Sequence, residues 1–186
     1  MKERNLVEEK REEVHSSLKD NNQKQKRGLS PSTPMNKVLI SSCLLGENVK
    51  YDGGNNSILE EKFIQKLQKS NLIVSVCPEV EGGLSTPRVP VEIQNTRAIN
   101  KEGDDKTDEF NQGAVKTLKR AKQNGIKMAI MKSRSPSCGK DKIYDGSFSK
   151  TLIKDSGITA KLLKAHAIKI FTENELKEAY DFWKSL

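Results

Sequence analysis

The sequence lacks any apolar run long enough to span a membrane, and no apolar stretch follows its charged first residues. A bilayer crossing needs about 20 consecutive apolar residues, and a secretory signal needs an apolar core behind its start. We therefore expect no membrane anchor and a cytoplasmic location. Only three cysteines are present, and an odd number in a reducing compartment argues against a disulfide framework. Any function of these cysteines is then chemical.

Aromatic residues are also scarce, with five Phe, three Tyr and one Trp. This is few for stacking on nucleic-acid bases, and no RNA-binding motif is present. The 33 Lys and Arg against 25 Asp and Glu give a formal charge of +8, which attracts polyanions loosely. We interpret this charge mainly as a solvated surface, so that a nucleic-acid partner is not expected.

The first 36 residues differ in composition from the rest of the chain. They are mostly charged and polar, and Pro31 and Pro34 oppose regular structure near their end. We predict that residues 1–36 form a flexible, dispensable tail and linker, with Met35 as a candidate alternative start. The length of 186 residues suits one core, so residues 37–186 are predicted to form a single domain.

Beyond the tail, short β-branched runs alternate with amphipathic stretches, which is typical of an α/β fold with a mostly parallel sheet flanked by helices. Pro87 and Pro90 limit one further short strand, over residues 89–93, to a sheet edge or an extended arm. The strands predicted for the main sheet cover residues 38–40, 72–76, 128–131 and 167–171.

Four helices are predicted between and after these strands. Capping-box patterns at Ser57 with Glu60 and at Thr172 with Glu175 indicate where the first and last begin. The second carries an apolar stripe over residues 110–121 and ends at a left-handed cap near Gly125, and the third covers residues 159–164.

The three cysteines follow predicted strands and lie among turn residues. Cys43 comes after the first strand, Cys77 after the second, and Cys138 after a loop that follows the third. In an open parallel sheet, ligands bind outside the carboxyl ends of the strands, so the three thiols could meet at one edge. A free cysteine is also a common small packing residue. The pattern alone leaves shared chemistry and packing equally open.

Converging thiolates are soft ligands that select zinc, copper(I) or iron–sulfur, and three of them leave one metal position open for catalysis. A catalytic zinc usually has a His or carboxylate ligand. The two histidines, His15 in the tail and His166 late in a helix, are poorly placed to provide one. A [4Fe–4S] cluster on three cysteines, with its fourth iron open to a substrate atom, uses the whole cysteine set.

Motifs around the cysteines resemble those of the thiouracil desulfurase family, a group of small bacterial proteins long described as a domain of unknown function. The resemblance spans about residues 37–171 and does not include the tail. The motifs are SSCLLG with KYDG (residues 41–46 and 50–53), CPEVEGGL with PR (77–84 and 87–88), and SRSPSCG with YDGSF (133–139 and 144–148).

The resemblance implies a cofactor, a substrate and roles for individual residues. It implies a [4Fe–4S] cluster on Cys43, Cys77 and Cys138, whose unique iron binds the sulfur of a thiouracil-like pyrimidine. Water then attacks the thiocarbonyl carbon, with no net electron transfer. Glu79 is implied as the acid–base residue and Ser135 as a hydrogen-bonding partner of substrate or water.

Two further residues are candidates with competing interpretations. Asp52 precedes a glycine, where turn formation is the commoner role, and is a secondary catalytic candidate. Arg88 could bind an anionic group of the substrate or could form an ion pair with Glu92.

Two other functions remain open on the residues alone. The chain could be a basic RNA-binding module in which the cysteines are structural and the tail contacts phosphates. It could also be a cysteine-nucleophile hydrolase, although no histidine is placed to activate the thiol. Oligomeric state is not indicated.

Overall fold

The computed structural model describes residues 36–186. The predicted tail, with His15 and Met35, therefore lies outside the described residues except for Asn36. The RNA-binding alternative depends on this tail and stays a prediction. No helix within residues 36–186 is long and apolar enough to cross a membrane.

Strands and helices alternate along most of the described chain. In chain order the elements are β1 (Val38–Ser41), a 3-10 helix (Ser42–Leu45), α1 (Lys62–Lys69), β2 (Ile73–Val76), α2 (Pro78–Glu81), β3 (Val91–Gln94), β4 (Arg97–Asn100), α3 (Thr107–Gln123), β5 (Met128–Met131), β6 (Ile143–Tyr144), β7 (Leu152–Ile153), α4 (Ile158–Ala165), β8 (Lys169–Thr172) and α5 (Leu176–Ser185).

The central sheet has four parallel strands in the order β2-β1-β5-β8. Successive side chains of a strand point to opposite faces. On one face Val38 and Ile40 pack with Phe63 of α1 and Trp183 of α5, and on the other Leu39 packs with residues of α3 and α4. Helices thus cover both faces, which explains the apolar strands and confirms the predicted α/β fold.

All four predicted strands of the main sheet are present, and their ends lie within two residues of the prediction. The last strand begins at Lys169 and not at Ala167. Ala167 has a left-handed backbone, with φ 58°, and the N–H of Ile168 donates to the carbonyl of Leu163 over 3.1 Å. These residues therefore complete the turn that ends α4.

The predicted capping box at Ser57 is wrong, because α1 begins only at Lys62. The N–H of Ile58 donates to the carbonyl of Leu44 over 2.9 Å, which holds this segment as a loop against the 3-10 helix. The apolar side chain of Ile58 still packs on the core from that loop. Ile58 therefore has the sequence spacing of a helical residue relative to the apolar residues of α1, although its backbone is not helical.

The other three helices agree with prediction in position. α3 contains the whole predicted stripe, and Gly125 follows it at φ 62°. α5 begins at Leu176, directly after the predicted cap. Only half of that capping box forms, because Glu175 Oε2 accepts the N–H of Thr172 over 2.9 Å while α5 has no side-chain cap of its own.

Two antiparallel hairpins, β3 with β4 and β6 with β7, lie outside the main sheet. β3 confirms the strand predicted near residues 89–93, although it begins at Val91, after the second proline. The sequence did not predict β4, β6 or β7. The strands β6 and β7 have two residues each, which is too short for a period of two to be recognised.

The helices α2 and α3 touch through their backbones. A Cβ atom added at Gly82, at the end of α2, would overlap the carbonyl oxygen of Glu109. One added at Gly113 in α3 would overlap the carbonyl oxygen of Pro78. Glycine inside a helix costs about 1 kcal/mol relative to alanine, so Gly113 is explained by this contact. The contact positions α2, which directly follows Cys77.

We expect Gly113→Ala to lower the free energy of unfolding by about 1–3 kcal/mol, as overpacking does, although alanine is the better helix former. Chemical denaturation followed by circular dichroism measures this change. Gln112→Ala, at an exposed position of the same helix, is the control and should not destabilise the protein. A more stable Gly113→Ala variant would contradict the close backbone contact.

Candidate active site

The carboxyl ends of β2, β1 and β5 lie side by side at one edge of the sheet, and a cysteine follows each. Cys43 lies in the 3-10 helix that continues β1, Cys77 lies between β2 and α2, and Cys138 lies in the loop after β5. All three line one cavity of about 550 Å³. The structure therefore brings together the three thiols that the sequence places after separate strands.

The two buried thiols reach the cavity from opposite faces of the sheet. Cys43 packs in the apolar layer with α1, and Cys138 packs in the layer with α3 and α4. The Ser41 hydroxyl lies 3.5 Å from Cys138 Sγ as a donor and accepts the N–H of Lys132 over 3.0 Å. Ser41 therefore links the end of β1 to the segment that carries Cys138.

Burial is the main cause of the shifted pKa values of the three cysteine thiols. Together with the neighbouring Cys77, it raises the pKa of Cys43 to about 12, against the opposing effect of the Lys132 ammonium. Burial also raises the pKa of Cys77 and of Cys138. His166 is exposed at the end of α4, and no histidine of residues 36–186 lines the cavity to activate a thiol. The geometry thus disfavours a cysteine-nucleophile hydrolase.

Glu79 of α2 is held at the cavity wall by Arg88. The Arg88 Nη2 atom lies 2.7 Å from Glu79 Oε2, and the two side chains are only 7% and 13% exposed. Arg88 Nε donates to the same oxygen over 2.9 Å, and its Nη2 also donates to the carbonyl of Val49 over 3.1 Å. Such charge-assisted bonds are strong when little exposed. The Glu79 carboxylate is therefore fixed at a defined place.

The alternative ion pair between Arg88 and Glu92 is wrong. No Lys, Arg or His nitrogen of residues 36–186 lies within 4.0 Å of the Glu92 carboxylate. Glu92 Oε2 instead accepts the backbone N–H groups of Gly146 and Phe148, each over 3.0 Å. Arg88 lines the cavity, and its contact with an anionic group of the substrate stays a prediction.

Ser135 has two kinds of partner. Its Oγ accepts the backbone N–H groups of Ser137 over 3.1 Å and of Cys138 over 3.0 Å, so it caps the turn that carries the cysteine. The same hydroxyl donates to Glu79 Oε1 over 3.4 Å. Ser135 therefore connects the Cys138 turn with the carboxylate on α2.

Residues 38–175 match the family model described as 2-thiouracil desulfurase. The chain belongs to this family. A curated relative, the uncharacterized protein YbbK of Bacillus subtilis (strain 168), is 40% identical over an alignment of 151 residues, and the match covers 76% of this chain and 98% of YbbK. A solved structure of the [4Fe-4S]-dependent thiouracil desulfidase TudS is 37% identical, with a TM-score of 0.79, and the match covers 81% of this chain and 99% of that one.

These matches confirm the family that the motifs around the cysteines predicted. The protein is therefore a desulfurase, an enzyme that breaks a carbon–sulfur bond. The match begins at Val38, so the predicted tail lies outside the family model as well.

The desulfurase does not bring Asp52 to the cavity. Its neighbours Lys50 and Tyr51 line the wall, but Asp52 does not. Its Oδ1 accepts the N–H of Gly54 over 3.0 Å and its Oδ2 pairs with Lys50 over 3.1 Å. The Gly54 N–H and the Lys50 ammonium lower the pKa of this exposed carboxyl group. The geometry favours the turn interpretation over a catalytic role.

A second charged group of the desulfurase was missed by sequence reasoning. Lys132 lines the cavity, and its Nζ donates to Glu173 Oε1 over 2.5 Å. The carboxylate of Glu173 also accepts the N–H of Ser133 over 2.9 Å and its hydroxyl over 2.7 Å. Lys132 directly follows β5 and Glu173 directly follows β8. Both residues directly follow strands whose carboxyl ends meet at this edge, as the cysteines do, and were predictable from the sequence in the same way.

We expect Asp52→Asn to change turnover of the desulfurase by no more than about twofold, as for most surface substitutions. Asparagine can still accept the Gly54 N–H, and an exposed ion pair contributes at most about 1 kcal/mol. Steady-state release of sulfide from 2-thiouracil measures the effect. A loss of tenfold or more would make Asp52 a catalytic candidate again.

Proposed function

We propose that this desulfurase removes sulfur from a thiolated pyrimidine at a [4Fe–4S] cluster held by Cys43, Cys77 and Cys138, with Glu79 as the acid–base residue. The observation that carries the proposal is the placement of three free thiols and a fixed carboxylate on the wall of one cavity. Its volume of about 550 Å³ lies within the range of small-molecule sites.

The donor set suits a cluster better than a single metal ion. No group of three His, Cys, Asp or Glu side chains among residues 36–186 is close enough to hold one ion. In a cluster each cysteine binds a different iron, so the thiolates need not converge on one point. When bound, the cluster would supply a Lewis-acidic iron for the sulfur of the substrate. TudS is [4Fe-4S]-dependent, which agrees with the cofactor predicted from the sequence.

Among the carboxylates near the cysteines, Glu79 follows one most closely, two residues after Cys77, and this supports it as the base. Glu173 does not line the cavity, and its carboxylate accepts three hydrogen bonds from Lys132 and Ser133. Glu92 lines the cavity, but its Oε2 holds the loop of residues 145–151 through two backbone N–H groups. In Glu79, one oxygen faces Arg88 while the other has only the 3.4 Å contact from Ser135. That second oxygen is therefore available to accept a proton.

Hydrolytic desulfuration needs one proton acceptor and no redox partner. Water adds its oxygen to the thiocarbonyl carbon, the carbon–sulfur bond breaks, and the products are the carbonyl compound and sulfide. Glu79 takes a proton from the water and returns it to the departing group, a role that contributes about 10²–10⁴ in rate. Arg88 holds the carboxylate in place, and the Ser135 hydroxyl lies beside its reactive oxygen.

We expect serine substitution of any of the three cysteines to abolish cluster binding. Serine keeps the size but lacks the soft sulfur ligand. The measurement is iron and acid-labile sulfide per chain after anaerobic reconstitution, where the unaltered protein should hold about four of each. Asp52→Asn is the control and should remain brown. A full cluster in Cys43→Ser, Cys77→Ser or Cys138→Ser would remove that residue from the ligand set.

We expect Glu79→Gln to lower turnover by about 10²–10⁴-fold without loss of iron, because glutamine cannot accept the proton. The matched control is Glu81→Gln on the same helical turn, since Glu81 pairs with Arg120 over 2.9 Å and does not line the cavity. Iron content and thermal unfolding, measured in parallel, show whether the Arg88 pair is needed only for folding. Normal turnover in a folded, iron-loaded Glu79→Gln variant would refute the role of Glu79.

A further inference from the structure

The loop of residues 145–151, between β6 and β7, forms part of the cavity wall. Phe148, at the centre of this loop, is half-buried and lines the cavity. Phe148 also borders a neighbouring depression lined by Arg97 and Lys101. Phe148 therefore lies between the cavity that contains the cysteines and the neighbouring depression lined by Arg97 and Lys101.

The backbone of this loop is held in an unfavourable conformation. Phe148 has φ 57° and Lys150 has φ 64°, in the left-handed region that residues with a side chain rarely adopt. Such conformations persist only where the surrounding structure enforces them, and they concentrate at functional sites. The backbone at Phe148, and with it the point from which the side chain projects, is therefore imposed by its neighbours.

Glu92 is the main neighbour that imposes it. The side chain is nearly buried, and its Oε2 accepts the N–H groups of Gly146 and Phe148, each over 3.0 Å. Gln94 adds a bond from its amide nitrogen to the Gly146 carbonyl over 2.8 Å. A Cβ atom at Gly146 would lie 2.7 Å from the carbonyl oxygen of Ile93, so only glycine allows this approach. A buried carboxylate without a cationic partner is costly unless hydrogen-bonded, and here its bonds go to the loop.

The geometry points to Phe148 as a substrate-recognition residue whose ring stacks on the flat heterocycle, and to Glu92 as the positioning residue that holds it. The inference rests on the proposed function, because it takes this cavity as the substrate site. A pyrimidine is planar and offers an aromatic face to a phenyl ring. Tyr51 also lines the cavity but is 47% exposed, and no left-handed backbone or buried carboxylate fixes its position.

The first test replaces Phe148 in the cluster-loaded protein. Stacking of a base on an aromatic side chain predicts that Phe148→Leu raises the Kd for uracil, and KM for 2-thiouracil, by about 5- to 100-fold. The value of kcat should change much less, and Phe148→Tyr should recover most of the affinity. Calorimetric titration with uracil, which carries no sulfur to release, gives a readout independent of turnover. Leu152→Ala, at an exposed position of the same hairpin, is the control.

The second test asks whether Glu92 acts through its hydrogen bonds to the loop or only through the size of its side chain. Glu92→Gln keeps an oxygen that accepts both N–H groups, whereas Glu92→Met keeps the length without an acceptor. Glu92→Met should reproduce the weaker uracil binding of Phe148→Leu, and Glu92→Gln should recover most of it. Equal affinity in the two Glu92 variants would overturn the positioning role.

The outcomes distinguish this inference from the proposed function. If the unaltered protein binds no cluster, the proposed function fails whatever the Phe148 variants do. If it binds the cluster and releases sulfide, but folded Phe148→Leu binds uracil as tightly as the unaltered protein, only the stacking role fails.

Discussion

The structure depends on one constraint, which is that parallel strands deliver their carboxyl ends to the same edge of a sheet. β2, β1 and β5 are neighbours in the sheet although their cysteines are far apart in sequence. The same edge also receives Lys132 after β5 and Glu173 after β8. The cavity is therefore assembled by topology, and short loops after each strand suffice to place its polar groups.

This constraint explains what could be predicted. Each of the three cysteines follows a predicted strand, so the pattern and the fold class allowed them to meet at one edge, with packing as an equal alternative, and Glu79 was implied by the family resemblance. The motifs around them then identify the family. Arg88 was recognised as a residue of interest, but its partner was not. Arg88 and Glu79 are nine residues apart across a turn and a loop, and no periodic pattern relates such positions.

The errors have local physical causes. Ser57 and Glu60 have the spacing of a capping box, yet Ile58 is bonded to Leu44, so a tertiary contact overrides the local signal. The strands β6 and β7 are too short to show alternation. Glu92 illustrates the same limit, because its bonds are to backbone N–H groups of a distant loop, and backbone donors carry no sequence signature.

The glycine contact between α2 and α3 has a consequence for how the cavity wall at Cys77 and Glu79 responds to substitutions elsewhere in the chain. Where two helices meet through side chains, rotamers can adjust and absorb a small displacement. Gly82 and Gly113 bring main chain against main chain, and a peptide unit has no such freedom. A displacement of α3 at Gly113 would therefore displace α2, which bears Glu79 and directly follows Cys77, so the placement of α3 helps to set the shape of the cavity.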